Sequence, residues 1–404
     1  MSEADENVVD KWDLSVEVES NAYNWDGEPV VTAALSDTPG SEFVHVDLFS
    51  GCGGFSTGFE LAGFTTRVAL DIHPPSLATL RENHPRATTI LGDIRRVQTA
   101  DIQSLLVGCD QSKMVVTAGV PCQGFSLSNR KRHAEDKRNF LFKEFIRVAT
   151  ELKPAVVVLE NVSGLVSTKN GEFKRAIAAA IEELGYDVHF ALLNAADYGV
   201  PQLRKRVFFV GVPRGSRWLF PVAEFGTPSR PYRTVSQAIL GDLPELAAGE
   251  MSTEYASSPT NEFQALMRSG LGPLHNHVAP SHPQETIDRI AATPPGQPMY
   301  ASFKQRIRLH PDAPSPTQIC GGIRPQFQFG HPTQARGMTI RERARIQSFP
   351  DSYNFHGGIT QGRVQTGNAV PPLLAAAVAG QIRRLLSGAN LVGVEAEGTA
   401  DTLF

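Results

Sequence analysis

The chain is predicted to fold as an α/β protein with a doubly wound, mostly parallel sheet, followed by a second, smaller and irregular domain. Three observations predict this. Apolar strand-like runs alternate with helix-period segments from Phe43 to Val212, the runs end in Gly-, Asp- or Cys-containing turns, and the sequence then becomes rich in Pro and Gly. With 404 residues, 41% of them hydrophobic, the chain is long enough to bury a large core in more than one domain.

Residues 1–40 carry ten Asp/Glu and one Lys, without sustained periodicity, and are expected to form an acidic, disordered arm; Trp12, Tyr23 and Trp25 leave room for a docking contact. The overall charge of −4 therefore conceals a body of +5 over residues 41–404. That balance leaves nucleic acid open as a partner. The basic runs Arg130-Lys131-Arg132-His133, Arg204-Lys205-Arg206 and 341–345 are candidates to meet phosphates, although such runs are more often solvated faces.

Strands are expected at 43–48, 68–70, 89–91, 114–117, 155–159, 189–193 and 207–212, with helices at 57–62, 77–83, 102–107, 139–152 and 173–184. These make a first domain over 41–212. Residues 213–361 form the irregular second domain, residues 362–388 supply a helix returning to the first, and 389–404 are expected to be a flexible tail. No window approaches ~20 consecutive apolar residues, and the first residues lack the basic-then-apolar order of a signal peptide. Cys52, Cys109, Cys122 and Cys320 are widely spaced without a CxxC pair, which argues against a zinc site or a disulfide framework. A reducing, cytoplasmic or nucleoid setting is the expectation, with neither membrane nor metal as partner.

Ligands of doubly wound sheets bind at the carboxyl ends of strands. The first strand ends in Asp47-Leu48-Phe49-Ser50-Gly51-Cys52-Gly53-Gly54-Phe55. Its glycine spacing is not the GxGxxG of a dinucleotide site, and Asp47 would oppose a pyrophosphate while welcoming an ammonium group, such as that of S-adenosylmethionine. Asp71 ends the second strand, placed for ribose hydroxyls, and Asp93 the third, placed for an adenine amino group. Each alone reads as an N-cap or turn residue; three on consecutive strand ends point to a site. Gly119-Val120-Pro121-Cys122-Gln123-Gly124-Phe125-Ser126 then sets a cysteine at a strand end. A lone cysteine is more often packed than reactive, so its partners decide the matter. Glu160-Asn161-Val162 follows the next apolar run, where partial burial would raise a carboxyl's pKa toward proton donation. Arg204 and Arg206 alternate onto one side of an extended segment.

With these motifs, and with 341–350 and Gln365-Thr366-Gly367-Asn368-Ala369-Val370-Pro371-Pro372, all in order from Phe43 to about Gln381, the chain resembles the DNA (cytosine-5)-methyltransferases. The resemblance implies a Rossmann-like methyltransferase fold with a target-recognition domain at 213–361. It also implies methyl transfer from S-adenosylmethionine to C5 of a cytosine flipped out of duplex DNA, through a covalent bond from Cys122 to C6. Cys122 would be the nucleophile, Glu160 would protonate or hold N3, and Arg204 and Arg206 would help to hold the base. Phe49, Gly51, Cys52, Gly53, Gly54, Asp71, Ile72, Asp93, Ile94, Gly119, Pro121, Leu141 and Asn368 would line the cofactor site. Ser126, Ser128 and Arg138 would contact DNA from a mobile loop at 124–138 that closes on it, and Gln123, just before that loop, would contact DNA as well. Val120 stands where the family often has proline, and Asp71 where it often has glutamate; both keep the chemistry.

Arg230, Arg233, Lys304, Arg306 and Arg308 are candidate DNA contacts of the second domain, and Cys320 is expected to be structural. A monomer is expected, with room for a cognate restriction endonuclease. The competing readings are a transfer RNA cytosine-5 methyltransferase, an NAD-type oxidoreductase, which the glycine spacing disfavours, and a catalytically silent DNA-binding protein, which would be expected to lack Cys122 or Glu160. Removing residues 1–40 is expected to spare methyl transfer, because no motif lies there.

Overall fold

In this computed structural model, residues 27–36, 38, 40–121, 141–167, 171–269, 272–320 and 328–399 are described. In chain order they form β1 (Val30–Thr32), β2 (Val44–Leu48), α1 (Gly54–Leu61), β3 (Thr65–Asp71), α2 (Pro74–Asn83), β4 (Thr88–Leu91), α3 (Thr99–Ser104), β5 (Met114–Gly119), α4 (Phe142–Leu152), β6 (Val156–Val162), α5 (Gly164–Ser167), α6 (Glu172–Glu183), β7 (Tyr186–Asn194), β8 (Gln202–Leu203) and β9 (Lys205–Pro213). There follow α7 (Val235–Ile239), α8 (Glu262–Met267), α9 (Gln284–Ala292), β10 (Ile307–Arg308), β11 (Ser315–Pro316), β12 (Phe329–Gly330), α10 (Ile340–Ile346), α11 (Gly358–Asn368), α12 (Pro372–Leu386) and β13 (Gly398–Thr399).

The main sheet runs in the order β1-β4-β3-β2-β5-β6-β9-β7-β13. Strands β4, β3, β2, β5 and β6 are mutually parallel, and β9 enters antiparallel between β6 and β7. This is the doubly wound sheet that the alternation predicts. The chain leaves β2 toward β3 and returns beside β2 as β5, so the order reverses between these strands. That reversal opens a crevice at their carboxyl ends.

Alternation along the strands divides the core in two. Val44, Val46 and Leu48 of β2 join Val116, Val157 and Leu159 on the face covered by Phe145 and Val148 of α4 and Ile177 and Ile181 of α6. Val115, Val156, Val158 and Phe208 face the other way, with Phe55 and Phe59 of α1 and Leu374, Val378 and Ile382 of α12. Helices α1 and α12 approach closely because position 58 is glycine: a Cβ there would lie 2.4 Å from that of Ala375. The returning helix is thus part of the first core.

A third cluster gathers Val235, Ile239, Phe263, Met267, Leu309, Phe329 and Ile346, within the span expected to be the second domain. Residues 340–355 of that span also reach the turn after β2, where Ile340, Phe349, Tyr353 and Phe355 pack with Cys52 and Ala369.

Both chain-end expectations need correction. Residues 30–32 of the expected disordered arm form β1, paired antiparallel with β4. The expected flexible tail is pinned through residue 399: Val394 and Phe220 exchange two backbone hydrogen bonds of 2.8 Å, and β13 pairs with β7. In both segments backbone pairing at a sheet edge or loop does what the short, mixed apolar pattern did not announce.

Candidate active site

The turn after β2 is conformationally unusual. Phe49 takes a φ of 58°, in the left-handed region that a side chain rarely adopts, and Gly51 and Gly53 follow at 53° and 89°. Strain of this kind, held by surrounding structure, marks sites where geometry is used. Here Ser50 N donates to Leu70 O at 2.9 Å and Gly51 N donates to the Asp71 carboxylate at 2.7 Å, tying the turn to β3. Asp71 also accepts from His73 N at 2.8 Å and stays partly exposed. Burial raises its pKa, against these backbone hydrogen bonds. The Ser50 hydroxyl is buried and, among the described residues, has no hydrogen-bond partner.

Two residues of the turn serve packing instead. A Cβ on Gly54 would lie 2.2 Å from Val370 O, so this glycine lets the segment after α11 come close. The Cys52 thiol is buried, lies 3.7 Å from Gln365 O, and has its pKa pushed up by burial. Its side chain therefore faces α10 and α11, while Tyr353 Oη donates to its carbonyl. Exposed Asn368 is brought to the turn by the same contact, two residues before Val370.

Asp47 departs from expectation. It is wholly buried and accepts from Ser56 N at 3.2 Å, Ser56 Oγ at 2.7 Å and Thr117 Oγ1 at 3.0 Å, so its carboxylate anchors α1 to the sheet. The period-two alternation that sends Leu48 into one core sends Asp47 into the layer under α1. Burial raises its pKa to about 6.

At the end of β4, Asp93 is nearly buried and clasped by Arg95, whose Nε lies 2.9 Å from each carboxylate oxygen; these bonds and charges outweigh burial and hold its pKa below the ordinary range. Ile94 is buried beside it, while Ile72 and Leu141 are partly exposed.

The second half of the crevice is built by β5, β6 and β9. Gly119 stands opposite Glu160 in the parallel register, and a Cβ on Gly119 would lie 3.8 Å from both Glu160 Oε2 and Phe49 O. The glycine end of β5 is thus where the strained turn and the carboxylate meet. Asn161 Nδ2 donates to Val120 O at 3.2 Å, which braces the chain just before Pro121.

Glu160 Oε1 pairs with Arg206 Nε at 2.9 Å. The antiparallel register explains the pair: Glu160 faces Phe208 and Arg206 faces Val162, so the two side chains are diagonal neighbours. Burial pushes the Glu160 pKa up, opposed by the charges of Arg206 and Arg204. Arg204 has a different place. It is 1% exposed, and its guanidinium donates to Gln318 O and Gly367 O at 2.9 Å each, so it braces the later segments against the sheet. Cys122, Gln123, Ser126, Ser128 and Arg138, and the run Arg130-Lys131-Arg132-His133, lie outside the described residues.

The basic run 341–345 is neither a phosphate patch nor a solvated face. Arg341, Arg343 and Arg345 are at most 3% exposed, and they hold carbonyls, Thr366, Asp242 and Asp351. Arg233 and Arg308 likewise donate to backbone carbonyls, of Gly199 and of the end of α9. Sequence reasoning assigned no role to Ser50 or Asn161. Both lie inside quoted motifs, and a polar residue within an apolar strand end was the available signal.

The family model described as C-5 cytosine-specific DNA methylase matches residues 43–384. The chain belongs to the C-5 cytosine-specific DNA methylase family. This methylase is 38% identical over 381 residues to the type II methyltransferase M.DdeI of Desulfomicrobium norvegicum, covering 86% of this chain and 90% of that one. It is 37% identical to the type II methyltransferase M1.HphI of Haemophilus parahaemolyticus, covering 84% and 87%. Among solved structures, one whose name gives it as a prophage-encoded DNA modification methyltransferase (E. coli) superposes with a TM-score of 0.70 at 26% identity, covering 85% of this chain and 99% of that one. The Dnmt2 methyltransferase of S. pombe shares the fold, with a TM-score of 0.53 at 16% identity, covering 86% and 99%. The methylase is accordingly a DNA (cytosine-5)-methyltransferase. Among the described residues no helix is long and apolar enough to cross a membrane, and no cluster of three ligating side chains could hold a metal.

Proposed function

We propose that the methylase transfers a methyl group to C5 of a cytosine flipped out of duplex DNA, using S-adenosylmethionine and a covalent bond between Cys122 and C6. The observation that carries this reading is Glu160: a buried carboxylate of raised pKa, held by Arg206 and set against Gly119, three residues before Cys122 in sequence. The crevice residues fit the methyl donor. The Ser50 hydroxyl, without a hydrogen-bond partner among the described residues, offers a polar contact, no described atom beyond the chain neighbours lies within 4 Å of where a Cβ on Gly51 would sit, and Asp71 and Asp93 stand at the ends of adjacent strands. Phe49, Gly51, Asp71, Ile72, Asp93, Ile94, Gly119, Pro121, Leu141 and Asn368 would hold it, with Cys52, Gly53 and Gly54 contributing backbone. Bound there, S-adenosylmethionine supplies an electrophilic methyl group to C5.

The chain's own residues do the rest. The Cys122 thiolate adds to C6, and the C5–C6 electron pair moves to C5 as Glu160 gives or shares a proton at N3. A carboxyl whose pKa burial raises is suited to that donation, and the Arg206 contact fixes its direction. Once C5 carries the methyl group, its proton passes to solvent water, the electron pair of that C–H bond restores the C5–C6 double bond and expels sulfur from C6 as the thiolate, and Glu160 takes back the proton at N3. Arg204 acts at a distance, by bracing residues 318 and 367. Gln123, Ser126, Ser128 and Arg138 would contact DNA, and residues from 213 to about 317 would select the target.

We place the enzyme in the cytoplasm at the nucleoid, as a monomer, with room for a cognate restriction endonuclease. Replacing the nucleophile, Cys122→Ser, is expected to abolish both methyl transfer and covalent trapping on a 5-fluorocytosine duplex; retention of both would overturn the assignment. Bisulfite sequencing of DNA from expressing cells tests the substrate and names the target. Methylated transfer RNA with unmodified DNA would favour the RNA reading.

A further inference from the structure

We propose that residues 28–32 are a positioning element for the cofactor site, holding from outside the turn that carries Asp93; this rests on the cofactor reading above. Strand β4 ends in Leu91-Gly92-Asp93-Ile94, and without β1 it would be the edge of the sheet. Edge strands fray first, because one row of their backbone groups is unpaired. Strand β1 supplies that pairing in the register Val30 with Leu91, Val31 with Ile90 and Thr32 with Thr89. The contact continues past the strand. A Cβ on Gly92 would lie 3.1 Å from Pro29 Cβ and 3.2 Å from Pro29 Cα, so the proline lies directly on the glycine. Glu28 pairs with Arg96 at 2.5 Å, and Arg96 N donates to Asp93 O at 2.8 Å within the same turn that Arg95 closes onto the Asp93 carboxylate.

Pairing, proline contact and ion pair therefore converge, among the described residues, on 89–96. The segment thus braces the strand and turn that carry Asp93 and Ile94, and among the described contacts none joins it to Glu160, Arg206 or Gly119. Its effect should fall on cofactor affinity and spare the chemical step, contrary to the expectation that residues 1–40 are dispensable.

Deletions 1–26 and 1–36 of the full chain separate the segment from what precedes it, with S-adenosylhomocysteine binding followed by calorimetry and with steady-state kinetics. Deletion 1–26 should bind within about twofold of the full chain, whereas deletion 1–36 should bind about tenfold more weakly. The KM for S-adenosylmethionine should rise in parallel, with kcat and the KM for DNA unchanged to within about twofold. Because deletion 1–36 can also unfold the chain, the double variant Glu28→Ala with Pro29→Gly keeps β1 and should raise the cofactor KM alone, by about threefold. Unchanged binding in both variants, or a double variant that alters kcat and both KM values together, overturns the proposal. A full chain that binds no S-adenosylhomocysteine overturns the cofactor reading itself.

Discussion

Glu160 and Glu342 are both buried glutamates paired with arginine, yet their pKa values move in opposite directions. Glu160 meets Arg206 through Nε at 2.9 Å, and burial prevails over the arginine charges, so the carboxyl holds its proton beyond the ordinary range. Glu342 accepts from Arg336 Nη1 at 3.0 Å, from Arg336 Nη2 at 2.6 Å and from Thr339 N at 2.8 Å, and lies 3.6 Å from His331 Nε2. There burial is the largest single influence, but the arginine and its hydrogen bonds together overcome it and hold the carboxylate ionised. A two-pronged guanidinium with a backbone donor makes a permanent charge, whereas a single side-on contact leaves a group able to give up and regain a proton. The first arrangement builds structure and the second is suited to chemistry.

Neutralising each carboxyl should separate these roles. Glu160→Gln is expected to lower kcat by about a thousandfold, ~4 kcal/mol of barrier, while denaturant unfolding shifts by less than about 1 kcal/mol. A variant that kept its rate would remove Glu160 from the mechanism. Glu342→Gln should do the reverse, costing about 3–4 kcal/mol of stability because Arg336 keeps its buried charge without a counter-ion, with the rate per folded molecule preserved. Next in size is Arg206→Lys, which retains the charge but not the planar Nε donor; a fall in kcat of about tenfold is expected in single-turnover assays. A lysine variant of full activity would show that only the charge matters.

The contrast also explains what could be read from the sequence. The parallel strands were legible because their apolar runs are long and buried on both faces, as in Val156-Val157-Val158-Leu159. The burial of Glu160 was half legible, because a carboxylate closing such a run either caps the turn or sits in a partly dry pocket, and here it is buried against Arg206. The fate of 341–345 was not, since periodicity cannot distinguish a solvated arginine from one whose partner, Asp242, lies about a hundred residues away in sequence. Asp47 misled for a related reason: a strand-end acid points to the crevice or to the layer beneath according to a one-residue difference in register. Strand β1 escaped notice because three residues, Val30-Val31-Thr32, carry too short a pattern to rise above an acidic background.

The smallest effect, and the one that sharpens the comparison most, is the pH dependence of stability. For Glu342 the folded pKa lies below the ordinary 4.5, so its contribution is fully present above that value and is lost as pH falls toward the folded pKa. For Glu160 the folded pKa lies above 4.5, so the folded state binds the proton more tightly and is weakened as pH rises from 4.5 through the folded value. Measured by denaturant unfolding over about pH 3 to 7, the stability of the natural chain relative to Glu342→Gln should therefore grow with pH. Relative to Glu160→Gln it should shrink. Two slopes of the same sign would mean that Arg206 holds its carboxylate as firmly as Arg336 does, and would take the proton-donor role away from Glu160.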